Sequence, residues 1–187
     1  MIITGDDHGG IESLKHDLAR RFAMKDLGLL RYFLGIEVAQ SKKGYLLSHT
    51  KYISYLFTHV GLSDNRTINT PLETNAQYSP ADGVPLSDPN IYRIVVGSLV
   101  YLTVTCLDIT HVVHIVSHFV TAPTSVHWGA VLRILIYLRG TQFQTLLFPS
   151  TSSLELRAYS DADWDGDRHD HKSTTEFCVF LGESLIS

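Results

Sequence analysis

The stretch from Asp88 to about Cys106 constrains this chain most. Asp88-Pro89 reads as an N-cap followed by proline in the first helical turn. The helix it opens carries apolar residues on nearly every face (Ile91, Ile94, Val95, Val96, Leu99, Val100, Leu102). A helix apolar all round belongs inside a protein or inside a membrane. The run from Ile94 to Leu107 is 14 residues, short of the roughly 20 a spanning helix needs, and Asp108 follows it directly. The helix is therefore expected at the centre of a core, with Gly97 and Ser98 letting a neighbour approach closely. A composition of 44% hydrophobic and 18% charged residues supplies enough apolar surface for such a core and argues against disorder.

The periodicity around this helix predicts an α+β chain. Ile11, Leu14, Leu18 and Phe22 recur at helical spacing, and that helix ends near Met24. Alternation from Tyr32 to Ala39 predicts a strand. Ser41-Lys42-Lys43-Gly44 predicts a hairpin turn, with Tyr45 to Leu47 as the partner strand. Tyr52, Ile53, Leu56, Phe57 and Val60 mark a helix stopped by Gly61. From Ser63 to Pro89 the period vanishes and four of the six prolines fall there, which predicts an extended connector. Further helices follow Asp108 and Pro123-Thr124-Ser125, the second terminated at Gly140. From Phe143 onward the pattern turns to strands: Phe143 to Phe148, Leu154 to Ser160, Thr174 to Leu181, and a start at Ser184. The composition shift near Gly140 marks a domain boundary.

Charge is polarised along the chain. Between Lys15 and Lys51 lie eight basic residues against three acids, whereas five aspartates fall between Asp161 and Asp170. A basic stretch with interleaved aromatics suits a nucleic-acid backbone and stacked bases, although a solvated face has the same composition. Cys106 and Cys178 each sit in an apolar run and read as free thiols of a reducing compartment. No signal peptide or membrane span is visible, so the expected location is intracellular, cytoplasmic or nuclear.

Several strings invite a site. Gly5-Asp6-Asp7 brings paired aspartates together, but it precedes a helix, where acids complement the dipole. Asp161 to Gly166 copies the start of a calcium-binding loop, yet the twelfth position holds Lys172 instead of a bidentate glutamate. Asp161 then reads either as part of a solvated acidic loop or as a magnesium ligand at a strand end. His111, His114 and His118 share one helix face, with no cysteine or carboxylate at matching spacing to complete a zinc shell. No nucleophile–base constellation and no glycine-rich phosphate loop is present.

Taken in order, several strings resemble the copia-type long-terminal-repeat retrotransposon Pol polyproteins. They are Met1-Ile-Ile-Thr-Gly-Asp-Asp7, Phe22-Ala-Met-Lys-Asp-Leu-Gly28, Tyr32-Phe-Leu-Gly-Ile-Glu-Val38, Tyr92-Arg93 with Val96-Gly-Ser-Leu-Val-Tyr-Leu102, and Val126-His-Trp128. Leu135-Ile-Tyr-Leu-Arg-Gly-Thr141, Tyr159-Ser-Asp-Ala-Asp-Trp164 and Lys172-Ser-Thr-Thr175 continue the series. The resemblance implies the C-terminal part of a reverse transcriptase running into a ribonuclease H domain. Residues 1–62 would be a partial palm with the primer-grip hairpin, 63–87 a linker, 88–141 the helical thumb and connection, and 142–187 the opening antiparallel strands of a ribonuclease H-like fold.

On that resemblance, Leu34, Gly35 and Ile36 would hold the primer end, and Lys42 and Lys43 would contact nucleic acid. Lys25 would stand where related polymerases carry a proton donor to the departing pyrophosphate. Asp161 would be the first ribonuclease H carboxylate and a ligand of Mg²⁺, the parent enzyme's cofactor. The polymerase aspartates would lie upstream of Met1 and the remaining ribonuclease H acids downstream of Ser187, in the polyprotein segments that would be its partners along with an RNA/DNA primer–template. The fragment alone is then expected to be inactive. The rival expectations are a non-catalytic nucleic-acid-binding remnant and a degenerate product without function. Two departures stand out: Cys106-Leu107 replaces a usual Arg-Pro, and Glu176 replaces a usual glycine.

Overall fold

The computed structural model describes residues 1–63, 65–73, 76–162, 173 and 175–186. Five helices and seven strands follow the chain as α1 (His8–Phe22), β1 (Tyr32–Phe33), β2 (Ile36–Ser41), β3 (Gly44–Ser48), α2 (Thr50–Val60), α3 (Pro89–Leu102), α4 (Thr110–Ser117), α5 (Ser125–Thr141), β4 (Leu146–Pro149), β5 (Leu156–Ala162), β6 (Thr175–Leu181) and β7 (Ser184–Leu185). The fold is mixed α+β, and both sheets are antiparallel.

The core is helical. Its centre is α3, which buries Tyr92, Val95, Val96, Leu99 and Leu102. Around it stand Ile53, Leu56 and Phe57 of α2, Val112, Val113 and Val116 of α4, and Ala130, Val131, Ile134, Leu135 and Leu138 of α5. Burying such side chains stabilises by about 1.5–3 kcal/mol each before entropy is counted. The predicted ends of α3 hold at its start, where the Asp88 carboxylate accepts from the Asn90 amide at 2.9 Å. Its C-terminus comes earlier than expected, at Leu102.

The described residues of the connector between Ser63 and Asp88 are irregular, as its prolines require, but they are strapped to the core. Leu72, Tyr78 and Leu86 pack against the buried helices. Pro85 bridges to Thr124, and Arg133 holds Glu73 and Thr70 at 3.1 Å each. The fully buried His127 ties the strap down. Its Nδ1 accepts the Thr124 amide at 3.1 Å, so Nε2 carries the proton and donates to the Ser79 carbonyl at 3.1 Å. The ring stacks on Phe119 with centroids 3.8 Å apart.

One sheet runs β1-β2-β3-β4 and the other β5-β6-β7. The composition shift near Gly140 placed the strand before Pro149 with the C-terminal unit. The backbone places it elsewhere: β4 pairs with β3, from Gly44 opposite Pro149 to Leu47 opposite Leu146. Gly44 permits this, since a Cβ there would lie 1.9 Å from the Phe148 carbonyl oxygen. Gly140 also fails to terminate α5, which runs on to Thr141, and the Thr50 hydroxyl satisfies the Gln142 carbonyl just beyond at 2.9 Å.

Two outcomes follow. Leu99→Ala, at a fully buried position, should cost about 2–5 kcal/mol in urea unfolding. Burial pushes the His127 imidazole below its ordinary value of 6.5, with Ser79 and Asp82 opposing. The unfolded chain then takes up the proton first, so this stability is present above 6.5 and drains as pH falls through it. Thermal melts should move down between about pH 7.5 and 5.5, and His127→Asn should flatten that dependence.

Candidate nucleic-acid interface

The sequence predicted one unbroken strand from Tyr32 to Ala39. Instead the chain reverses at Leu34-Gly35, and Phe33 pairs with Ile36. Both turn residues have positive φ, +49° at Leu34 and +89° at Gly35, the geometry of a two-residue hairpin turn that matches strand twist. A leucine in that region costs about 1–2 kcal/mol, so something must hold it. The Leu34 carbonyl accepts a hydrogen bond from the Tyr101 phenol on α3. Gly35 is buried against the same ring, and a Cβ there would approach Tyr101 Cε1 to 3.3 Å and Tyr52 Cδ2 to 3.5 Å. Tyr101 in turn meets Tyr52 and His49 edge-on, with centroids 5.2 Å away in each case. The outcome is a strained turn clamped to the helical core, with the Leu34 side chain 70% exposed at its tip.

The clamp has an electrostatic side. His49 is 2% exposed, and its Nδ1 bonds to the Thr105 hydroxyl. Burial lowers its pKa, with Glu37 opposing. Burial also works against the Glu37 carboxylate, but the Lys51 ammonium at 3.0 Å, the Lys51 amide at 3.1 Å and Ser48 outweigh it and hold the carboxyl below its usual range. Lys51 also stands 5.9 Å from the Tyr32 ring centre. Its charge is therefore largely spent within the hairpin.

The predicted contact residues separate into two places. Leu34, Gly35 and Ile36 form the β1–β2 end. Lys42 and Lys43 form the β2–β3 turn, exposed, with the Lys43 carbonyl accepting the Ser150 amide at 2.9 Å. The six-residue β2 lies between them, roughly 20 Å of strand. Lys25 is exposed in the irregular segment after α1. Gly5-Asp6-Asp7 opens α1, where Asp7 caps the Gly10 amide at 2.9 Å.

Asp161 lies exposed on β5 directly across from Glu176 of β6, and its Oδ1 accepts the Ala162 amide at 2.9 Å. Glu176 also reaches His111 Nδ1 at 3.6 Å. Among the described residues no three or more His, Cys, Asp or Glu side chains are placed to hold a metal. Two exposed carboxylates do not make the octahedral oxygen shell that Mg²⁺ requires, so the described residues do not fit that ion. The same holds for zinc at the α4 histidines, where His114 and His118 meet only ring edge to face at 4.6 Å. The calcium-like string from Asp163 to Lys172 lies outside the described residues.

The clamp of His49, Tyr52 and Tyr101 was missed in the sequence. Its one local signal was a glycine inside a strand pattern, which marks a bend or a close backbone approach.

A mixed fold with a strained hairpin docked on a helical bundle can now be set beside known proteins. Residues 1–74 match the sequence model of the reverse transcriptase (RNA-dependent DNA polymerase) family. All of the chain aligns with the retrovirus-related Pol polyprotein from transposon RE1 of Arabidopsis thaliana at 39% identity, covering 13% of it. It aligns with that from transposon TNT 1-94 of Nicotiana tabacum at 35%, covering 15%. It is 37% identical to the uncharacterized mitochondrial protein AtMg00810 of Arabidopsis thaliana and covers 78% of that protein. No solved structure matches. The chain belongs to the copia-type retrotransposon Pol family and is a reverse-transcriptase-like segment of such a polyprotein.

Gly35→Ala should destabilise by about 1–3 kcal/mol, through its positive φ and the Tyr101 ring. Tyr101→Phe should leave the core intact and raise amide exchange at Gly35 and Ile36 by about fivefold or more, the loss of one hydrogen bond. Hydrogen exchange read by mass spectrometry separates the two effects.

Proposed function

We propose that this segment grips an RNA/DNA primer–template through the hairpin of β1, β2 and β3 and the helices behind it. In this reading residues 1–62 belong to the palm and primer grip, 63–87 are the strap, 88–141 are the thumb and connection, and the strands beyond β4 open a ribonuclease H-like sheet. The observation that carries the reading is the clamped turn. A gripping element must present its backbone and an apolar side chain without yielding, and strain kept in place by a surrounding structure is a mark of functional sites. Leu34 stands out from that turn while Gly35 is held against Tyr101 of α3. The two lysines at the far end of β2 lie a few base-pair steps away, at about 3.4 Å per step. In this reading they reach phosphates while the tip meets the primer end.

Catalysis is not expected of the described residues by themselves. Phosphoryl transfer of this kind needs several carboxylates around paired ions, and Asp161 with Glu176 falls short of that. Lys25, exposed beyond α1, would act as a proton donor only beside a bound nucleotide.

A fluorescently labelled RNA/DNA hybrid titrated with the chain tests the grip. Binding should weaken as salt rises, and Lys42→Ala with Lys43→Ala should reduce the log–log salt slope by about 1–2 without moving the melt. Leu34→Asp should weaken binding to a recessed primer end more than binding to a blunt duplex. No binding at low salt, or a slope untouched by removing the lysines, would sink the reading.

A further inference from the structure

Tyr101 seats the β1–β2 turn, and His49 stands behind Tyr101. His49 directly precedes α2 and is 2% exposed. Its ring meets Tyr101 edge-on, at 75° with centroids 5.2 Å apart, and lies tilted against Tyr52 at 6.2 Å. The Thr105 hydroxyl holds its Nδ1. Its Nε2 is buried and has no hydrogen-bond partner among the described residues. Buried polar atoms left unpaired are rare and mark strain or function. We infer that His49 is the positioning residue of this hairpin: neutral, it seats the Leu34-Gly35 turn through Tyr101, and protonated, it lets the turn go. What the turn does rests on the grip reading; how His49 holds it does not.

A neutral imidazole leaves one bond unmade at that place. An imidazolium would bury an N–H and a full charge with no acceptor, which costs far more. The charged and titratable groups around the ring do not supply one. On β2, the Glu37 carboxylate is taken up by the Lys51 ammonium and amide at 3.0 and 3.1 Å and by Ser48. On α2 and α3 stand the Tyr52 and Tyr101 rings, and the Tyr101 phenol is spent on the Leu34 carbonyl. After α3 comes the Cys106 thiol, pushed up by its own burial. Burial therefore outweighs Glu37 and holds the His49 imidazole below its ordinary 6.5.

A charged ring has a way out. A cavity of about 430 Å³ lies beside it, lined by His49, Thr105, Cys106, Asp108, Tyr137 and Gln142 among others. One oxygen of the exposed Asp108 carboxylate accepts the Tyr137 phenol, and the second can accept an imidazolium N–H. Protonation turns the ring off the edge of Tyr101 and into this cavity, where water and Asp108 meet the charge. Tyr101 loses its backing. The turn, with φ of +49° at Leu34 and +89° at Gly35, then has strain to release.

Hydrogen exchange of the full chain, read by mass spectrometry from pH 7.5 to 5 with intrinsic rates divided out, tests this. The released ring takes up its proton before the seated one does. Protection of the turn should be full above 6.5 and fall below it, by up to about tenfold per pH unit. Peptides covering Gly35 and Ile36 should show that step, and peptides covering Val95 to Leu99 should not, which separates it from the global loss that His127 contributes. His49→Gln keeps an uncharged partner for Thr105 and should abolish the step. Asp108→Asn should shrink it. A wild-type turn that stays protected overturns the proposal, as does an equal step in His49→Gln. Should His49→Gln not fold, an Asp108→Asn step as large as the wild type's overturns it. None of these measurements uses nucleic acid. A step at the turn with no loss of affinity for a recessed primer end therefore counts against the grip and supports the role of His49.

Discussion

The helical core is assembled around the inward faces of α3. Helices α2, α4 and α5 and the β1–β2 hairpin cover most of α3, but not with the all-round enclosure its sequence led one to expect: Ile94 and Val100 stay about half exposed on an open face, and among the described residues nothing approaches Gly97. The Tyr92 hydroxyl buried with it shows how strictly that interior is kept. Tyr92 is fully buried and donates to the Val116 carbonyl at 2.7 Å, and burial drives its phenol far above its ordinary pKa. It therefore stays a neutral donor, and an unmade bond there would cost the desolvation of a buried polar group. About two and a half turns further on, Tyr101 of the same helix carries the clamp on Leu34. The candidate interface is thus an outgrowth of the core: its geometry is set by which residues of α3 face inward and which face the hairpin.

The two ends of the chain stand on different physics. Helix α1 buries no residue, and Leu14 and Phe22 of its apolar stripe are 46% and 67% exposed. Its order rests on the Asp7 cap and on the exposed pairs Lys15–Glu12 and Arg20–Asp17. Such solvent-exposed pairs contribute little against the cost of nucleating a helix. The β5–β6 ladder likewise rests on backbone bonds and cross-strand pairs, with Tyr159 meeting Phe180 edge-on at 6.0 Å. Local opening should begin in these parts, while α3 and α5 exchange only on global unfolding.

What could be read in advance follows from where the determining information sits. The helices were legible because a 3.6-residue period is a property of the local string, and Gly61 could be assigned as a cap because the left-handed conformation needs a residue like it. Here Gly61 takes φ +69°. The Leu34-Gly35 turn was not legible, because alternation of apolar and polar residues is the same on both sides of it and the stabilising partner, Tyr101, is 67 positions away. The pairing of β4 with β3 was hidden for a similar reason: composition changes at Gly140, but strand partnership is decided by a gap at Gly44. The carboxylates were individually visible, and Asp161 could be picked out as a candidate ligand. That Glu176 would be its neighbour required the register of β5 and β6.

The two departures from the family pattern can now be weighed as physics. Where Arg-Pro is usual the chain has Cys106-Leu107, and losing a proline removes a helix stop. Yet α3 already ends at Leu102, and Thr103, Thr105 and Cys106 turn their amides back onto its last carbonyls at 2.9–3.3 Å. A short 3-10 turn at Leu107–Ile109 follows, so the stop is made without the ring. The thiol itself is half-buried and its pKa is pushed up by that burial, which makes Cys106 a packing residue and a poor nucleophile. Glu176 puts a charge into a strand, but at an exposed position where His111 lies 3.6 Å away. Neither change opens a cavity or strands a buried charge, the mechanisms by which single substitutions usually destabilise a fold. On structural grounds the departures are compatible with a chain that still folds.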